Sequence, residues 1–351
     1  MISLLSGIQQ GEKMIPSYYD SSRCGKFLIP NLDQAASAGK QYAKDNGIKS
    51  SHLPGTPNVI LSVIDAQLDF ISPEGNLCVP GAVADTDRLN KFIYNNVNKI
   101  SHIIPSLDTH YLFQPFHRFN WIAGPNPTVH SYGPKKGMLY EPGEHPDAFT
   151  LITSNNLDSG VWLPTRNPQR MRNMITKLEQ QHKKTLCVWP LHCLLGSPGH
   201  AFDPTFMEAL IFHAACRNDQ YNPPIKGMSQ SSEHYGILKA EVEFSDDRLT
   251  QLDTSVLSAW ENADRIYFAG QAKSHCVLET LNQVVELFTK QSNTTLLDKL
   301  YVLEDCMSSV PDIKDDAGNV IVPFDAIANN RFAELKKLGV KFVKSTDSVS
   351  I

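Results

Sequence analysis

Tyr267-Phe-Ala-Gly-Gln-Ala-Lys-Ser-His-Cys276-Val-Leu-Glu-Thr-Leu281 is the stretch on which the reading of this chain turns. An apolar run from Ile266 to Ala269 breaks at Gly270 and passes through a short polar turn. Apolar residues then recur at Val277, Leu281, Val284, Val285 and Phe288, the spacing of a helix with one buried face. Cys276 is thereby predicted at the first turn of a helix that directly follows a strand. A thiol there meets the positive end of the helix dipole and unpaired backbone N–H groups, which lower its pKa and offer donors to an oxyanion. Free cysteine is also among the most buried residue types, so a packing role stands beside the nucleophile at this point.

Working outward, Val59-Ile-Leu-Ser-Val-Ile-Asp65 is a continuous apolar run of strand length between Pro57 and a carboxylate, as expected of a central parallel strand. Ligands of open α/β sheets bind beyond the carboxyl ends of strands, which aims Asp65 at a site; an Asp that caps the next turn is the plainer alternative. A helix is predicted over Val83–Val97. A second apolar run, His102-Ile-Ile-Pro-Ser-Leu-Asp108, again ends in Asp, and Asp108-Thr-His110 is followed by His117. Alternation along an extended segment puts Asp108 and His110 on one face, which suits two ligands of one metal. A helix from Pro168 to Lys183 leads to Thr185-Leu-Cys-Val-Trp189, read as the third strand, from which His192 emerges near Asp108 and His110.

Further helices are expected at Pro204–Cys216, Ser255–Asn262 and Phe324–Leu338. A short strand delivers Lys226 into the turn at Gly227, and two more strands are expected at Leu300–Glu304 and Val340–Val343. Residues 1–57 read as an extension laid over the domain. Residues 118–166, rich in Pro, Gly, Asn and His with only Thr150–Thr153 of strand character, read as an inserted loop, and loops of that length are commonly lids. Its aromatics are Trp121, Tyr132, Tyr140 and Phe149. Strand and helix alternate without internal repeat, so the fold class is α/β: a doubly wound, mostly parallel sheet flanked by helices, an α/β/α sandwich in one domain over 58–351.

Composition narrows the partners. The 351 residues are 41% hydrophobic and 20% charged, with net charge −5. A mildly acidic chain gives no electrostatic footprint for nucleic acid. No run reaches the ~18–20 apolar residues of a membrane span, and residues 1–13 hold too short an apolar run for a signal peptide. Seven scattered cysteines without a CxxC pair favour a reducing compartment, and a cytoplasmic location is expected.

Five segments together resemble the isochorismatase-like cysteine hydrolases, and within them the nicotinamidase branch. They are Asp65-x-Gln67-x-Asp69-Phe70, Asp108-x-His110 with His117, Trp189-Pro-x-His192-Cys193, Ile225-Lys226-Gly227, and Gly270-x-Ala272-x-x-His275-Cys276-Val277. The resemblance implies a triad of Asp65, Lys226 and Cys276, and a divalent transition metal (Zn, Mn or Fe) on Asp108, His110 and His192 with His117 as a further ligand. It also implies an oxyanion hole from the N–H groups of Ala272 and Cys276 beside a cis Gln271–Ala272 peptide, and a pocket that includes Gln67, Phe70, Trp189 and Gln271. The implied activity is hydrolysis of a small aromatic carboxamide such as nicotinamide, by a homo-oligomer. Other amide specificities and a non-catalytic binding role are the competing readings. Ser274 departs from the acidic residue common two positions before the cysteine.

Overall fold

The computed structural model describes residues 14–130, 135–290, 294–315 and 317–350. Val59–Ile64 is buried along its whole length, as an apolar strand covered on both faces must be. It pairs in parallel with His102–Pro105 on one side and with Arg265–Gly270 on the other. Beyond Arg265–Gly270 lie Leu300–Leu303 and then Lys341–Val343, all parallel. On the opposite side the chain continues past Ser106 into Leu107–Asp108, which pairs in parallel with Ile225–Lys226. The chain therefore winds outward in one direction from 59 through 102 to 225, and in the other from 265 through 300 to 341. The two directions part between Val59–Ile64 and Arg265–Gly270, whose carboxyl ends are Asp65 and Gly270. Such a parting leaves a crevice at the strand ends, and the candidate residues lie there.

The expected helices form at Ala82–Asn95, Pro168–Gln180, Pro204–Arg217, Thr254–Glu261 and Phe324–Lys337, with Leu278–Lys290 following Cys276. Two expectations change. Thr185–Trp189 is not a strand of the central sheet: Leu186–Cys187 pairs antiparallel with Leu151–Ile152, and the third parallel position belongs to Ile225–Lys226. The run is flanked by Leu151–Ile152 of the inserted segment and, at its Trp189 end, by a parallel bridge to His117. The insertion is also more ordered than its composition suggests. Trp121–Ala123 pairs with Trp162–Pro164, a short helix forms at Ser154–Asp158, and Trp121, Tyr140 and Trp162 are buried. Tyr132 lies outside the described residues.

The extension contributes a helix, Leu32–Asn46, which packs on Pro204–Arg217 so closely that a Cβ on Gly39 would meet the Phe212 carbonyl oxygen at 2.4 Å. Arg23 anchors the extension with a forked pair to the buried Glu208 carboxylate, at 2.9 and 2.8 Å. The seven cysteines are free thiols. Among the described residues no helix is long and apolar enough to cross a membrane.

The crevice depends on one glycine. Gly270 has φ +109°, and a Cβ there would meet the Ile64 carbonyl oxygen at 2.1 Å, while Gln271 N–H donates to that same oxygen at 2.8 Å. The two strand ends are thus drawn closer than any side chain allows. Gly270→Ala is expected to destabilise the protein by ~3 kcal/mol or more, through a disfavoured backbone and a main-chain clash together. Urea denaturation checks this, and an unchanged midpoint would contradict it.

Candidate active site

Asp65 ends its strand in the left-handed region, φ +45°, where its carboxylate Oδ1 accepts the Ser106 hydroxyl at 2.6 Å. Lys226 reaches it across Leu107–Asp108, from the strand end beyond. The Lys226 ammonium lies 2.9 Å from Asp65 Oδ2, 2.9 Å from Asp108 Oδ1 and 3.6 Å from Cys276 Sγ, and donates to the His234 carbonyl at 3.3 Å. All four side chains are buried. One ligand atom from each of Asp65, Asp108 and Cys276 falls within 4.8 Å of the others. The structure thus brings Asp65, Lys226 and Cys276 together.

Cys276 sits in a wide helical turn, Lys273–Val277, between its strand and the helix Leu278–Lys290. The expected lowering of its pKa does not occur: burial pushes the thiol well above its ordinary value, Lys226 pulls it back, and the carboxylates of Asp65 and Asp108 push it further up. Burial likewise raises Asp65 against the pull of Lys226. Burial opposes the charge on Lys226, but Asp108 and Asp65 outweigh it and hold the ammonium well above the usual lysine range. The resting site is therefore a thiol beside a fixed ammonium and the side chains of Asp65 and Asp108. The Gln271–Ala272 peptide is cis, Ala272 lines the cavity beside Cys276, and its N–H donates to no carbonyl among the described residues.

The metal candidates converge on the other side of Asp108. His110 Nε2 is 2.9 Å and His192 Nε2 3.9 Å from Asp108 Oδ2. Each imidazole has Nδ1 on a carbonyl oxygen: His110 on Gly227 at 3.1 Å, His192 on Pro190 at 2.8 Å, His117 on Tyr111 at 2.9 Å. A carbonyl only accepts, so Nδ1 carries the proton and Nε2 of each ring is the metal-facing nitrogen. His117 Nε2 is buried without a hydrogen-bond partner, and its ring stands 5.7 Å from that of His110 and 5.6 Å from that of His192. Burial, with His110 beside it, lowers the His117 pKa to about 3 and leaves it neutral. Two or three imidazoles and one carboxylate fit a divalent transition metal with open positions, and are too rich in nitrogen for calcium.

Gly227 makes room for this set, since a Cβ there would meet the His110 ring at 2.5 Å and Asp108 Oδ1 at 2.7 Å. Gln67 does not line the cavity. Its amide donates to the carbonyls of Asp108 at 2.8 Å and His200 at 2.9 Å and accepts the Asp108 N–H at 2.7 Å, which fixes the Asp108 backbone. Gln271 is also turned away, donating to Asp85 at 3.0 Å and accepting from Ser308 N–H at 3.3 Å. Asp69 accepts the N–H groups of Cys193 at 2.6 Å and Asn76 at 2.9 Å, and so sets the turn that carries His192.

The cavity over Cys276 holds about 30 Å³ and includes Phe70, Trp189, Glu233, Tyr235 and His275 in its wall. Phe70 and Trp189 are where the sequence put them. Glu233, Tyr235 and His275 were missed as site residues: the first two lie on a segment without regular structure, and His275 was quoted only as part of a motif. Glu233 is buried with Oε1 on the His234 N–H at 2.9 Å and Oε2 unpartnered, and burial pushes its pKa up to about 7.

No family model matches the chain, and no curated protein sequence matches it. Solved structures do align with it. The nicotinamidase and pyrazinamidase of Acinetobacter baumanii aligns at 18% identity over 84% of this chain and 99% of that one, with TM-score 0.47. The yeast nicotinamidase Pnc1p bound to nicotinaldehyde aligns at 17% over 82% and 99%, with TM-score 0.49. The Pyrococcus horikoshii pyrazinamidase in complex with zinc aligns at 17% over 82% and 99%, with TM-score 0.41. The structural neighbours are thus nicotinamidases and pyrazinamidases, with isochorismatase-like hydrolases also among them.

Elemental analysis of the purified protein is expected to find about one transition-metal equivalent, and far less in His192→Ala. Stoichiometric metal retained by the double variant Asp108→Ala, His110→Ala would refute the ligand set.

Proposed function

We propose that the protein is a cysteine amidohydrolase that releases ammonia from a small aromatic carboxamide, with nicotinamide converted to nicotinate as the leading case. The observation that carries this reading is the contact of one buried ammonium, Lys226, with Asp65, Asp108 and Cys276 Sγ at once. A site built only to bind has no use for a thiol held against a proton acceptor in this way.

In the proposed cycle the Cys276 proton passes to Asp65, whose affinity for it is raised by burial, and the resulting thiolate is paired with Lys226. The thiolate attacks the carboxamide carbon, and the oxyanion is received by the N–H groups of Ala272 and Cys276. Asp65 returns the proton to the departing nitrogen as the C–N bond breaks, leaving ammonia and a thioester on Cys276. Water then attacks the thioester carbon as Asp65 takes one of its protons; the C–S bond breaks, Asp65 returns that proton to the sulfur, and the acid gives its remaining proton to solvent and leaves as the carboxylate. A divalent metal on Asp108, His110, His192 and His117 would supply an electrophilic contact that orients the substrate ring or positions water. Glu233 Oε2 offers an acceptor to an N–H of the bound substrate.

The inserted segment is proposed to shape access. Phe149 packs on Trp189 with ring centroids 5.8 Å apart, and Phe149 N–H donates to the Val188 carbonyl at 2.5 Å. The closed cavity requires its wall to move when a ring enters, so the backing of Trp189 bears on binding.

Ammonia release from a panel of aromatic carboxamides tests the proposal. Cys276→Ala is expected to lower kcat by ~10³-fold or more while substrate still binds; appreciable turnover by that variant would sink the thioester route. Phe149→Ala should raise KM several-fold with unchanged mass in solution. Unchanged kinetics with dissociation into smaller species would assign the segment to assembly instead.

A further inference from the structure

Behind the cavity wall, the residue before Ala272 is tied down at three points. The Gln271 N–H donates to the Ile64 carbonyl at 2.8 Å, its side-chain Nε2 donates to Asp85 Oδ2 at 3.0 Å, and its Oε1 accepts the Ser308 N–H at 3.3 Å. Gln271 is 1% exposed, so no water competes for these bonds. The amide has one orientation, because a flip would set its NH₂ against the Ser308 N–H and its oxygen against the Asp85 carboxylate. Asp85 is held in turn. It is buried on the helix Ala82–Asn95, its Oδ1 accepts an Arg88 N–H at 2.6 Å, and Arg88 Nε donates to the Asp305 carbonyl at 2.5 Å. The start of that helix is pressed against the Ser308 segment, where a Cβ on Gly81 would meet Ser308 Oγ at 2.5 Å.

The chain beyond Ala272 is fixed as well. Lys273 N–H donates to the Ser308 carbonyl at 2.8 Å, and the Ala272 carbonyl accepts the N–H groups of His275 at 3.0 Å and Val277 at 3.2 Å. Ser308 thus grips the residues on both sides of Ala272 through its own N–H and carbonyl. The Ala272 N–H, in the cavity wall beside Cys276, donates to no carbonyl among the described residues. A donor to an oxyanion works only when it is held within about 0.5 Å of its productive place.

We infer that Arg88, Asp85 and Gln271 form a latch that positions the Ala272 N–H as an oxyanion donor. This rests on the amidase reading and adds to it residues that do not touch the substrate. Gln271 and Asp85 are positioning residues, and both act through Ala272.

The test exchanges donor and acceptor within the latch. Asp85→Asn leaves one oxygen where Arg88 and Gln271 each need one, and Gln271→Glu sets a second carboxylate against Asp85, so each breaks the bond. The two substitutions together restore it in reverse, with position 85 donating to position 271 while still accepting from Arg88. Each single variant should lower kcat for nicotinamide by ~10–100-fold, short of the ~10²–10³-fold cost of losing an oxyanion donor outright, with KM within about twofold. The double variant should recover kcat to within about threefold of the intact enzyme. Nicotinaldehyde reads the same donor without turnover: the Cys276 sulfur bonds the carbonyl carbon, the thiol proton passes to Asp65, and the oxygen faces the Ala272 N–H. Its inhibition constant should rise in each single variant as kcat falls, and return in the double. The ¹H–¹⁵N resonance of Ala272 should move and return in the same way. Gln271→Met, which keeps the side-chain length and lacks both hydrogen bonds, covers the case of a single variant that does not fold, and should lose kcat over the same range. An unchanged kcat in the folded single variants or in Gln271→Met, a loss that falls on KM, or a double variant as slow as its parents would each overturn the inference. Absence of ammonia release from any carboxamide would overturn the amidase reading alone, since the aldehyde and the Ala272 resonance still decide this one.

Discussion

The structure of the site depends on a single buried cation. Two carboxylates, Asp65 and Asp108, are withdrawn from water at the ends of adjacent strands, and each alone would carry a penalty of several kcal/mol. The Lys226 ammonium sits 2.9 Å from both and compensates one of the two charges. On its other side Asp108 faces the imidazoles of His110 and His192, with Oδ2 at 2.9 and 3.9 Å from their Nε2 nitrogens, so one carboxylate is shared between the lysine and the histidine cluster.

The position of Lys226 follows from the sheet. Ile225–Lys226 pairs with Leu107–Asp108 in parallel, so the lysine and Asp108 are register partners and emerge at the same height. Asp65 emerges from the strand between Asp108 and Gly270, and Gly270 removes the side chain that would keep the Cys276 turn away from Ile64. Gln67 and Asp69 then fix the backbones of Asp108 and Cys193 through buried hydrogen bonds, so the segment after the first strand holds in place the two segments that carry Asp108 and His192. A charge cluster this dense tolerates little play, because its Coulomb terms change steeply with distance when water is excluded.

Much of this was legible in the sequence for one physical reason. Apolar runs of strand length that end in a polar residue announce where a parallel strand leaves the core, and Asp65, Asp108, Lys226 and the Cys276 turn are all strand-end residues. What failed was whatever depends on partners distant in sequence. Thr185–Trp189 has the composition of a buried strand, but composition does not say whether sheet or loop does the burying. The resemblance puts Gln67 and Gln271 in the pocket, yet the Gln67 amide pairs with backbone groups of Asp108 and His200, and that of Gln271 with the Asp85 carboxylate and the Ser308 N–H. The thiol pKa was misjudged because a helix dipole is readable from sequence and the desolvation that outweighs it is not. Glu233 and Tyr235 open Glu233–Phe244, whose apolar residues alternate as in an extended segment, but alternation does not single out which of its side chains meets a cavity.

The wall of the cavity shows how the insertion earns its length. Trp189 is packed edge-on by Phe149 from the insertion and by His275 from the cysteine turn, and its indole N–H donates to the Tyr235 hydroxyl at 3.2 Å. Three segments far apart in sequence thus meet on one indole. The same three residues, Trp189, Tyr235 and His275, also border a groove of about 670 Å³ on their other side, which Leu151 of the insertion and Phe324 and Ile327 of a later helix help to line. The partition between groove and cavity is therefore one aromatic layer thick. Edge-to-face contacts worth about 1 kcal/mol each hold its side chains, while its backbone is held by Trp189 N–H on the Phe116 carbonyl at 2.7 Å and Phe149 N–H on the Val188 carbonyl at 2.5 Å. A layer held in that way can open for a ring and close behind it at modest cost, whereas the strand ends beneath it, bound by buried charge, cannot move.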